Sequence, residues 1–424
     1  MQKQLKIFPG ILIPLNNVRN ILPGSLPVCF GIAGHALKFW LMILFIAGCT
    51  SPAEKNYLTG DSRFDLVHQF SRGRGYAVEV AMDGSVIAPV GGGILKLSTD
   101  GGSTWKEVDA GISGVPLVNE VSGEVLFVAL PYRSESLLDN PVSQDNETGY
   151  YFPVHRSKDH GLTWEKYDAV IHKDGNGWLP SSGGAENGIT LRYGEKAGRL
   201  LLPSRVFVDY ERGSRNADHY NTAIYSDDGG LTWFTGAPFP EKGTGEGTLA
   251  ELSDGRIYYN SRSHMAEDAK RREAWSYDGG ETWNDLRVSF LPDRAGRTYF
   301  AYGCKGGLIR LPFDDEDVLI YSNLDIPLAS TYRSHISVWA SFDGGDTWPV
   351  KRLVYPGPSG YSMLAAGRKG TASEGLIYLM FEGYPDDEVR KWPDLDQYFA
   401  RFTLDWVVEG TLTGDGYIPE HFKR

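Results

Sequence analysis

The sequence predicts an all-β fold built from repeated modules, and three observations support this prediction. One eight-residue phrase occurs five times, as STDGGSTW, SKDHGLTW, SDDGGLTW, SYDGGETW and SFDGGDTW. Aromatic residues make up 12% of the 424 residues and the chain contains 51 glycines, a composition that favours strands and tight turns over a helical bundle. Alternating apolar runs flank the phrase, which indicates a strand, a turn and a strand in each module.

The first 49 residues are predicted to be a targeting segment that lies outside the fold. Lys38 precedes the apolar run FWLMILFIAG, which has the length of a signal-peptide core and is too short to cross a bilayer as a mature helix. The run ends in IAGC, which resembles a bacterial lipobox. The resemblance implies that Cys49 is lipidated and, with Thr50 after it, that the protein is an outer-membrane lipoprotein facing the periplasm or the cell surface. The alternative is an ordinary signal peptide with a chance cysteine.

Residues 50–62 (TSPAEKNYLTGDS) are predicted to be a polar tether, which leaves 63–424 as one folded domain. The net charge of -12, without a basic stripe, argues against a nucleic-acid partner. We expect membrane contact through the lipid alone. Cys29, Cys49 and Cys304 cannot form a disulfide framework, so the fold must depend on its core. The sequence contains no HExxH, paired-cysteine or EF-hand pattern, and we expect no metal, no cofactor and a monomeric protein.

Each copy of the repeated phrase is predicted to form the turn of a β-hairpin. An apolar run leads into Asp-Gly-Gly and a tryptophan-led run follows it, which is a hairpin pattern. Glycine supplies the positive φ angles, and aspartate can accept hydrogen bonds from its own turn. The copies begin 59, 69, 50 and 65 residues apart, a spacing that fits one four-stranded antiparallel sheet per copy.

These phrases resemble the Asp boxes of the sialidase family, and the resemblance extends from about Phe70 to Trp406. It implies a six-bladed β-propeller of sialidase type with four-stranded antiparallel blades. Five blades each carry a box, and RGYAVEVAMDG and FARFTLDWV close the sixth from both ends of the domain. In that family the boxes lie on outer turns away from the active site, so they specify the fold and not the substrate. We expect all five box tryptophans to be buried.

Three arginines outside the boxes stand in motifs that resemble the carboxylate-binding arginines of sialidases. Arg74 lies in RGRGYAVEVAMDGSVIA, where the family usually has Arg-Ile-Pro and this chain has Arg-Gly-Tyr. Arg262 ends the strand in DGRIYYNSRSH, and Arg333 precedes the strand that leads into the last box. Because guanidinium groups stay charged and can bind a carboxylate with two parallel hydrogen bonds, three converging arginines would suit an acidic sugar.

Two further motifs resemble the catalytic pair of the family. Tyr361 in YPGPSGYSMLAAG matches the tyrosine that attacks the sugar, and Glu246 in GTGEGTLAELSDG matches the glutamate beside it. A sialic acid carries a carboxylate on its anomeric carbon, which repels a carboxylate nucleophile, whereas a phenol is neutral and needs a nearby base. Glu382 in YLMFEG resembles the glutamate that orients the first arginine, and the alternative is an acid on the surface at the end of a strand.

The general acid of the family is absent from its usual place. Sialidases take it from an aspartate on an early loop, but this chain reads SVIAPVGGGILKLSTDGG there. Asp139 and Asp145, on the long segment YRSESLLDNPVSQDNETGYY, are the carboxyl candidates to replace it. His264 and His335 each follow a proposed binding arginine by two residues and are further candidates. Strand alternation places Glu79 on the face opposite to Tyr76 and Val78.

Three functions are compatible with these residues. The leading hypothesis is a retaining exo-α-sialidase, a glycoside hydrolase that acts on sialylated glycans. The second is a propeller lyase or glycosidase for other carboxylated glycans, those that contain uronic acids, in which tyrosine or histidine serves as base and acid. The third is a glycan-binding propeller without catalysis. A carboxylate near the leaving oxygen would favour the first, and a Tyr–His pair across the site would favour the second.

Overall fold

The computed structural model describes residues 60–132, 134–143, 146–182, 187–208, 219–266, 268–293, 303–327, 332–384 and 395–423. The predicted targeting segment with Cys49, and all but the last three residues of the tether, lie outside these described residues. Lipidation therefore stays a prediction. Within the described ranges, no helix has both the length and the apolar character needed to cross a bilayer.

Strands make up nearly all of the regular structure. The strands of the first half are β1 Phe64–Ser71, β2 Glu79–Val80, β3 Val86–Gly91, β4 Ile94–Ser98, β5 Lys106–Asp109, β6 Val115–Val118, β7 Val125–Val128, β8 Pro141–Ser143, β9 Asn146–Ser157, β10 Glu165–His172, β11 Pro180–Ser181, β12 Ile189–Thr190 and β13 Leu200–Phe207. The second half comprises β14 His219–Ser226, β15 Thr232–Thr235, β16 Thr244–Glu251, β17 Ile257–Ser263, β18 Lys270–Ser276, β19 Asn284–Pro292, β20 Gly307–Arg310, β21 Leu319–Leu324, β22 Ser334–Ser341, β23 Val350–Ala366, β24 Ile377–Gly383, β25 Asp396–Phe402, the helix α1 Leu404–Val408 and β26 Thr411–Leu412.

The described strands form four sheets, which confirms the all-β class. Two sheets are simple four-stranded meanders, β2-β3-β4-β5 and β16-β17-β18-β19. A ten-stranded sheet runs β11-β13-β14-β15-β10-β9-β7-β6 with β8 and β12 at its side, and an eight-stranded sheet runs β1-β25-β24-β23-β22-β21-β20 with β26 at its side. Neighbouring strands are antiparallel except for the parallel pair β10–β15.

Two pairings join strands that the sequence analysis assigns to separate blades. Strand β23 is 17 residues long, so its first half pairs with β22 and its second half pairs with β24. Strand β10, which follows the second repeated phrase, pairs in parallel with β15, which lies at the end of the third phrase. The structure therefore contains four connected sheets where six separate ones are predicted, and the count of six blades stays a prediction.

Successive sheets pack through their apolar faces. Ile87 and Leu97 of the first meander lie in one buried cluster with Phe127 of the next sheet. Leu201 and Ile257 share another buried cluster in the same way. Strand β7, VLFV, is buried at all four residues, which explains its continuous apolar sequence. This packing holds the inner strands, which carry the candidate site, in fixed positions.

The two ends of the domain meet in one sheet. Phe64 of β1 lies opposite Phe402 of β25, and Arg401 Nε donates a hydrogen bond of 2.8 Å to Asp65. The predicted closing segments are wrong in detail, because β1 is FDLVHQFS and the predicted RGYAVEVAMDG contributes β2 to the next sheet. The LDWV of FARFTLDWV is helical, since Thr403 caps α1 by accepting a hydrogen bond from the Trp406 amide.

All five repeated phrases form the same hydrogen-bonded turn. In the first, Asp100 accepts hydrogen bonds from the Thr104 amide at 2.8 Å and the Thr104 hydroxyl at 2.7 Å. Ser98 donates its hydroxyl to Asp100 at 2.8 Å and accepts a hydrogen bond from the Gly102 amide at 2.9 Å. The box tryptophans are buried at three positions and partly buried at two, so their predicted burial holds only in part. The buried ones are Trp233, Trp283 and Trp348, and the partly buried ones are Trp105 and Trp164.

Candidate active site

The proposed nucleophile and its glutamate are in direct contact. The Tyr361 hydroxyl, on β23, donates a hydrogen bond of 2.6 Å to Glu246 Oε1, on β16. Glu246 has a φ of +55°, and the pairing of β16 with β17 shifts register between Gly245 and Gly247. This β-bulge places a non-glycine residue in the left-handed region, a conformation that is uncommon and is enriched at functional sites.

The second oxygen of Glu246 is bound by an arginine. Arg262 at the end of β17 donates Nη1 to Glu246 Oε2, and the two side chains are only 3% and 12% exposed. Burial alone would raise the pKa of Glu246, but the charges of Arg262 and, to a smaller extent, Arg205 hold it well below its usual range. Glu246 is therefore ionised and can accept a proton.

The phenol stays protonated until it reacts. Burial, and after it the negative charge of Glu246, raises the pKa of Tyr361 well above its usual value near 10. A neutral phenol that already donates its hydrogen to a carboxylate is arranged for attack with concerted loss of the proton. The pair has the geometry of a nucleophile and its base.

Glu382 connects the first arginine to the strand that carries the tyrosine. Its side chain is fully buried, so it is not an acid on the surface. Oε1 accepts a hydrogen bond of 2.7 Å from Arg74 Nε, and Oε2 accepts one of 3.0 Å from the Tyr361 amide. The contact gives Arg74 a fixed direction beside Tyr361.

Arg74 and Arg333 both lie close to the tyrosine ring. The Cζ atoms of Arg74 and Arg333 are 5.5 and 5.8 Å from the centre of the Tyr361 ring. Arg333, directly before β22, also donates Nη2 to the Gly303 carbonyl at 2.9 Å. Residues from five separate segments, predicted from the sequence as one site, are thus brought together around Tyr361.

Of the two predicted carboxyl candidates for the general acid, the structure describes only Asp139. Asp139 is exposed, with no side-chain hydrogen bond or ion pair in the described part of the chain, and Asp145 lies outside the described residues. The turn between β3 and β4 is a tight hairpin in which Gly91, Gly92 and Gly93 have φ angles of +89°, +64° and +82°. That hairpin carries no carboxyl group.

The histidine candidates and Glu79 are no better placed as acids. His264 Nδ1 lies 3.3 Å from His219 Nε2, and burial lowers the pKa of His264 well below its usual value, so the ring is neutral. His335 Nδ1 lies 2.8 Å from the Ser334 hydroxyl. Glu79 lines a separate cavity of about 370 Å³ with Glu120, Glu251, Arg192, Arg310 and Arg368.

Three residues of the site are missing from the sequence prediction. The Tyr76 ring packs edge-on against Tyr361, with ring centres 5.4 Å apart, and Lys305 Nζ lies 3.4 Å from the Tyr76 hydroxyl. The third is Arg205 on β13, which is 5% exposed beside Gly245. The signal for Tyr76 was its place in Arg-Gly-Tyr, and for Arg205 an arginine within the apolar run GRLLLPSRV. Lys305 gave no signal.

The chain is similar to one protein family and to several curated proteins. The family model of the BNR repeat-like domain matches residues 138–373. A sialidase of Micromonospora viridifaciens is 30% identical over 409 residues, which covers 88% of this chain and 58% of the relative. An anhydrosialidase of Macrobdella decora is 26% identical over 309 residues, which covers 68% of this chain and 36% of the relative. The chain spans about half the length of the curated relatives it matches.

Solved structures agree in fold. The Hadza microbial sialidase Hz136 superposes with a TM-score of 0.53 at 22% identity, covering 79% of this chain and 66% of that one. A leech intramolecular trans-sialidase superposes with a TM-score of 0.55 at 17% identity, covering 84% and 70%. At this identity the structural match concerns the fold alone, and the family match covers more than half of the chain. The chain therefore belongs to the sialidase and BNR-repeat superfamily.

Proposed function

We propose that this protein is a retaining exo-α-sialidase that removes terminal sialic acid from glycoconjugates. The observation that carries the proposal is the hydrogen bond between Tyr361 and the ionised Glu246, with Arg74, Arg262 and Arg333 around it. Similarity to sialidases of known sequence supports the same reading.

The arrangement accounts for sugar binding and for nucleophilic attack. The three arginines bind the sugar carboxylate, which directs the anomeric carbon towards the Tyr361 oxygen. The phenolic oxygen bonds to that carbon while its proton passes to Glu246, and the glycosidic C–O bond breaks with its electron pair on the leaving oxygen, which takes up a proton from a general acid. Water then attacks the anomeric carbon and the bond from that carbon to the Tyr361 oxygen breaks. Tyr361 regains its proton from Glu246, and the proton that the water loses restores the general acid.

Protonation of the leaving oxygen is the step without an identified donor, because the β3–β4 hairpin supplies no carboxyl group. An aryl glycoside needs little protonation and should be cleaved, whereas a natural sialoside needs an acid, and Asp139 and Asp145 remain the candidates. The same hairpin favours, as a second candidate function, a propeller that binds carboxylated glycans without turnover or acts as a lyase on uronic-acid glycans. The contact of Tyr361 with Glu246 rather than with a histidine supports the first function.

Tyr361→Phe tests the proposal, because it removes the nucleophilic oxygen and keeps the ring. We expect release of the fluorophore from an aryl sialoside to fall by about 10³-fold or more, with sialic acid binding changed by less than about threefold in calorimetry. Glu246→Gln should slow turnover and preserve the shape of the site. Wild-type turnover by Tyr361→Phe would reject the sialidase mechanism and make the lyase the first candidate.

The propeller and the membrane attachment belong to the same proposal. Six blades would consist of β2–β5, of β6, β7, β9 and β10, of β11–β15, of β16–β19, of β20–β22 with the first half of β23, and of the second half of β23 with β24, β25 and β1. Lipidation of Cys49 would hold this propeller at the outer membrane. Labelling with a fatty-acid analogue should mark the wild type and not Cys49→Ala.

A further inference from the structure

Arg205 is a buried cation that stacks on the Phe207 ring, 5.7 Å from Cζ to the ring centre, but forms no ion pair in the described part of the chain. It is 5% exposed, and its Nε and Nη2 atoms are buried and make no hydrogen bond there. The nearby Arg199 is also buried, but it donates hydrogen bonds to Asp227 and Glu281. An unpaired buried charge is costly, so a group that offsets the charge of Arg205 is expected.

The guanidinium group of Arg205 packs tightly against Gly245, beside the candidate catalytic pair. A Cβ atom on Gly245 would lie 2.8 Å from Arg205 Nη2 and 2.9 Å from both Cζ and Nε, so the group lies flat on a residue that must be small. Gly245 directly precedes Glu246, and the charge of Arg205 interacts with that of Glu246. Arg205 therefore belongs to the site that contains the Tyr361–Glu246 pair.

Glu246 does not supply the missing partner. Its Oε1 accepts the Tyr361 hydroxyl and its Oε2 accepts Arg262, while Nε and Nη2 of Arg205 make no bond to it. Four guanidinium groups, those of the three predicted arginines and Arg205, and the ammonium group of Lys305 belong to a site with two carboxylates, Glu246 and Glu382. A sugar with one negative charge offsets only one of the three excess positive charges, and hydroxyl groups offset none.

We propose that Arg205 is a fourth substrate-binding arginine, which binds a second anionic group on a carboxylated sugar. Adjacent Nε and Nη2 hydrogens form the fork that binds an oxyanion with two bonds, as in sulfate, phosphate or carboxylate. The inference rests on the proposed function, because it takes the three other arginines to bind the first carboxylate. Arg205 then selects dianionic sialic acids over unsubstituted ones.

The test compares the binding of three free sugars by calorimetry: N-acetylneuraminic acid, its 8-O-sulfate and its 9-O-phosphate. We expect the wild type to bind one of the two substituted sugars about 10- to 100-fold more tightly than the unsubstituted sugar, and the sulfate and phosphate arms identify which oxyanion fits. Arg205→Met should reduce that ratio to about one, because the fork that binds the second anionic group is gone. Arg205→Lys, which keeps the charge without the fork, should give an intermediate ratio.

Thermal unfolding separates this role from a structural one. Removing an unpaired buried charge should leave the Tm of Arg205→Met unchanged or raise it, whereas Arg199→Met, the matched buried arginine, should lower the Tm and keep the wild-type ratio. Equal binding of all three sugars by the wild type, or a ratio that survives in Arg205→Met, overturns the inference and leaves the sialidase proposal intact. Failure of every sugar to bind overturns both.

Discussion

Burial and one ion pair together determine the protonation of the candidate site. Arg262 keeps Glu246 charged although both are buried, and burial, with the charge of Glu246 adding to it, keeps the Tyr361 phenol protonated. The opposite pKa shifts of neighbouring groups are the usual basis for assigning a base and a proton donor. The φ of +55° at Glu246 adds local strain, which the neighbouring glycines of the bulge help to accommodate.

Replacing the binding arginines by lysine should weaken sugar binding while the charge remains. Arg74→Lys, Arg262→Lys and Arg333→Lys each lose the planar fork, and we expect calorimetric affinity for N-acetylneuraminic acid to fall by about 10- to 100-fold. The Arg262 variant should also unfold more easily, because the buried Glu246 loses its partner. Arg256→Lys, an exposed arginine paired with Asp254, is the control. Unchanged affinity in the three variants would refute the carboxylate clamp.

Glu79 should make the protein less stable as the pH rises. Burial raises its pKa to about 7 from a reference near 4.5, against the opposing charge of Arg368. A raised pKa means that the stability contribution is present below pH 4.5 and is lost as the pH rises through 7. At pH 8 we expect Glu79→Gln to exceed the wild type by about 1–3 kcal/mol in the free energy of unfolding, and at pH 4 to match it. The exposed Glu107→Gln is the control, and a pH-independent difference in the Glu79 variant would contradict this expectation.

Among the elements, the Asp-box turns are expected to act on stability and not on activity. Asp343 accepts hydrogen bonds from the Ser341 hydroxyl and from the amide and hydroxyl of Thr347. Asp343→Ala should therefore lower the free energy of unfolding by about 1–3 kcal/mol in urea and leave turnover unchanged. Asp346→Ala in the same turn removes only an exposed ion pair with Arg287 and should cost less than about 0.5 kcal/mol. Equal losses in both variants would argue against a special role for the box aspartate.

Local patterns were the predictable part of this molecule. The box turns depend on residues within eight positions of one another, and Tyr361, Glu246 and the three arginines stand in motifs that can be read locally. The division of β23 between two sheets could not be predicted, because it depends on which strands lie beside each half. Arg205 was missed for the same reason. Its position beside Glu246 depends on the contact between β13 and β16, which are distant in the sequence. The run at Leu404–Val408 resembles a strand in sequence, but it forms a helix that Thr403 caps.

At the scale of the whole molecule, pairing between the ends joins the first described strand to the last sheet. Besides the pairing of β1 with β25, the Arg63 amide donates to the Thr403 hydroxyl, and the Ser62 hydroxyl donates to Glu409 at 2.7 Å. Arg74 follows β1 by three residues and lies directly against Glu382 of β24. The position of the first binding arginine therefore depends on this closure.

This closure also determines the order in which the domain can form during folding. Arg63 and Thr403 are 340 residues apart, and bringing such distant segments together costs roughly 4 kcal/mol more loop entropy than closing a short hairpin. Strand β1 is synthesised first, yet it has no partner until β25 exists, so it should be the last strand to gain protection. Pulse-labelled hydrogen exchange during refolding should find the β1 amides that donate to β25 protected later than the amides of β16–β19. Simultaneous protection would mean that the ends meet early, before the sheets between them are complete.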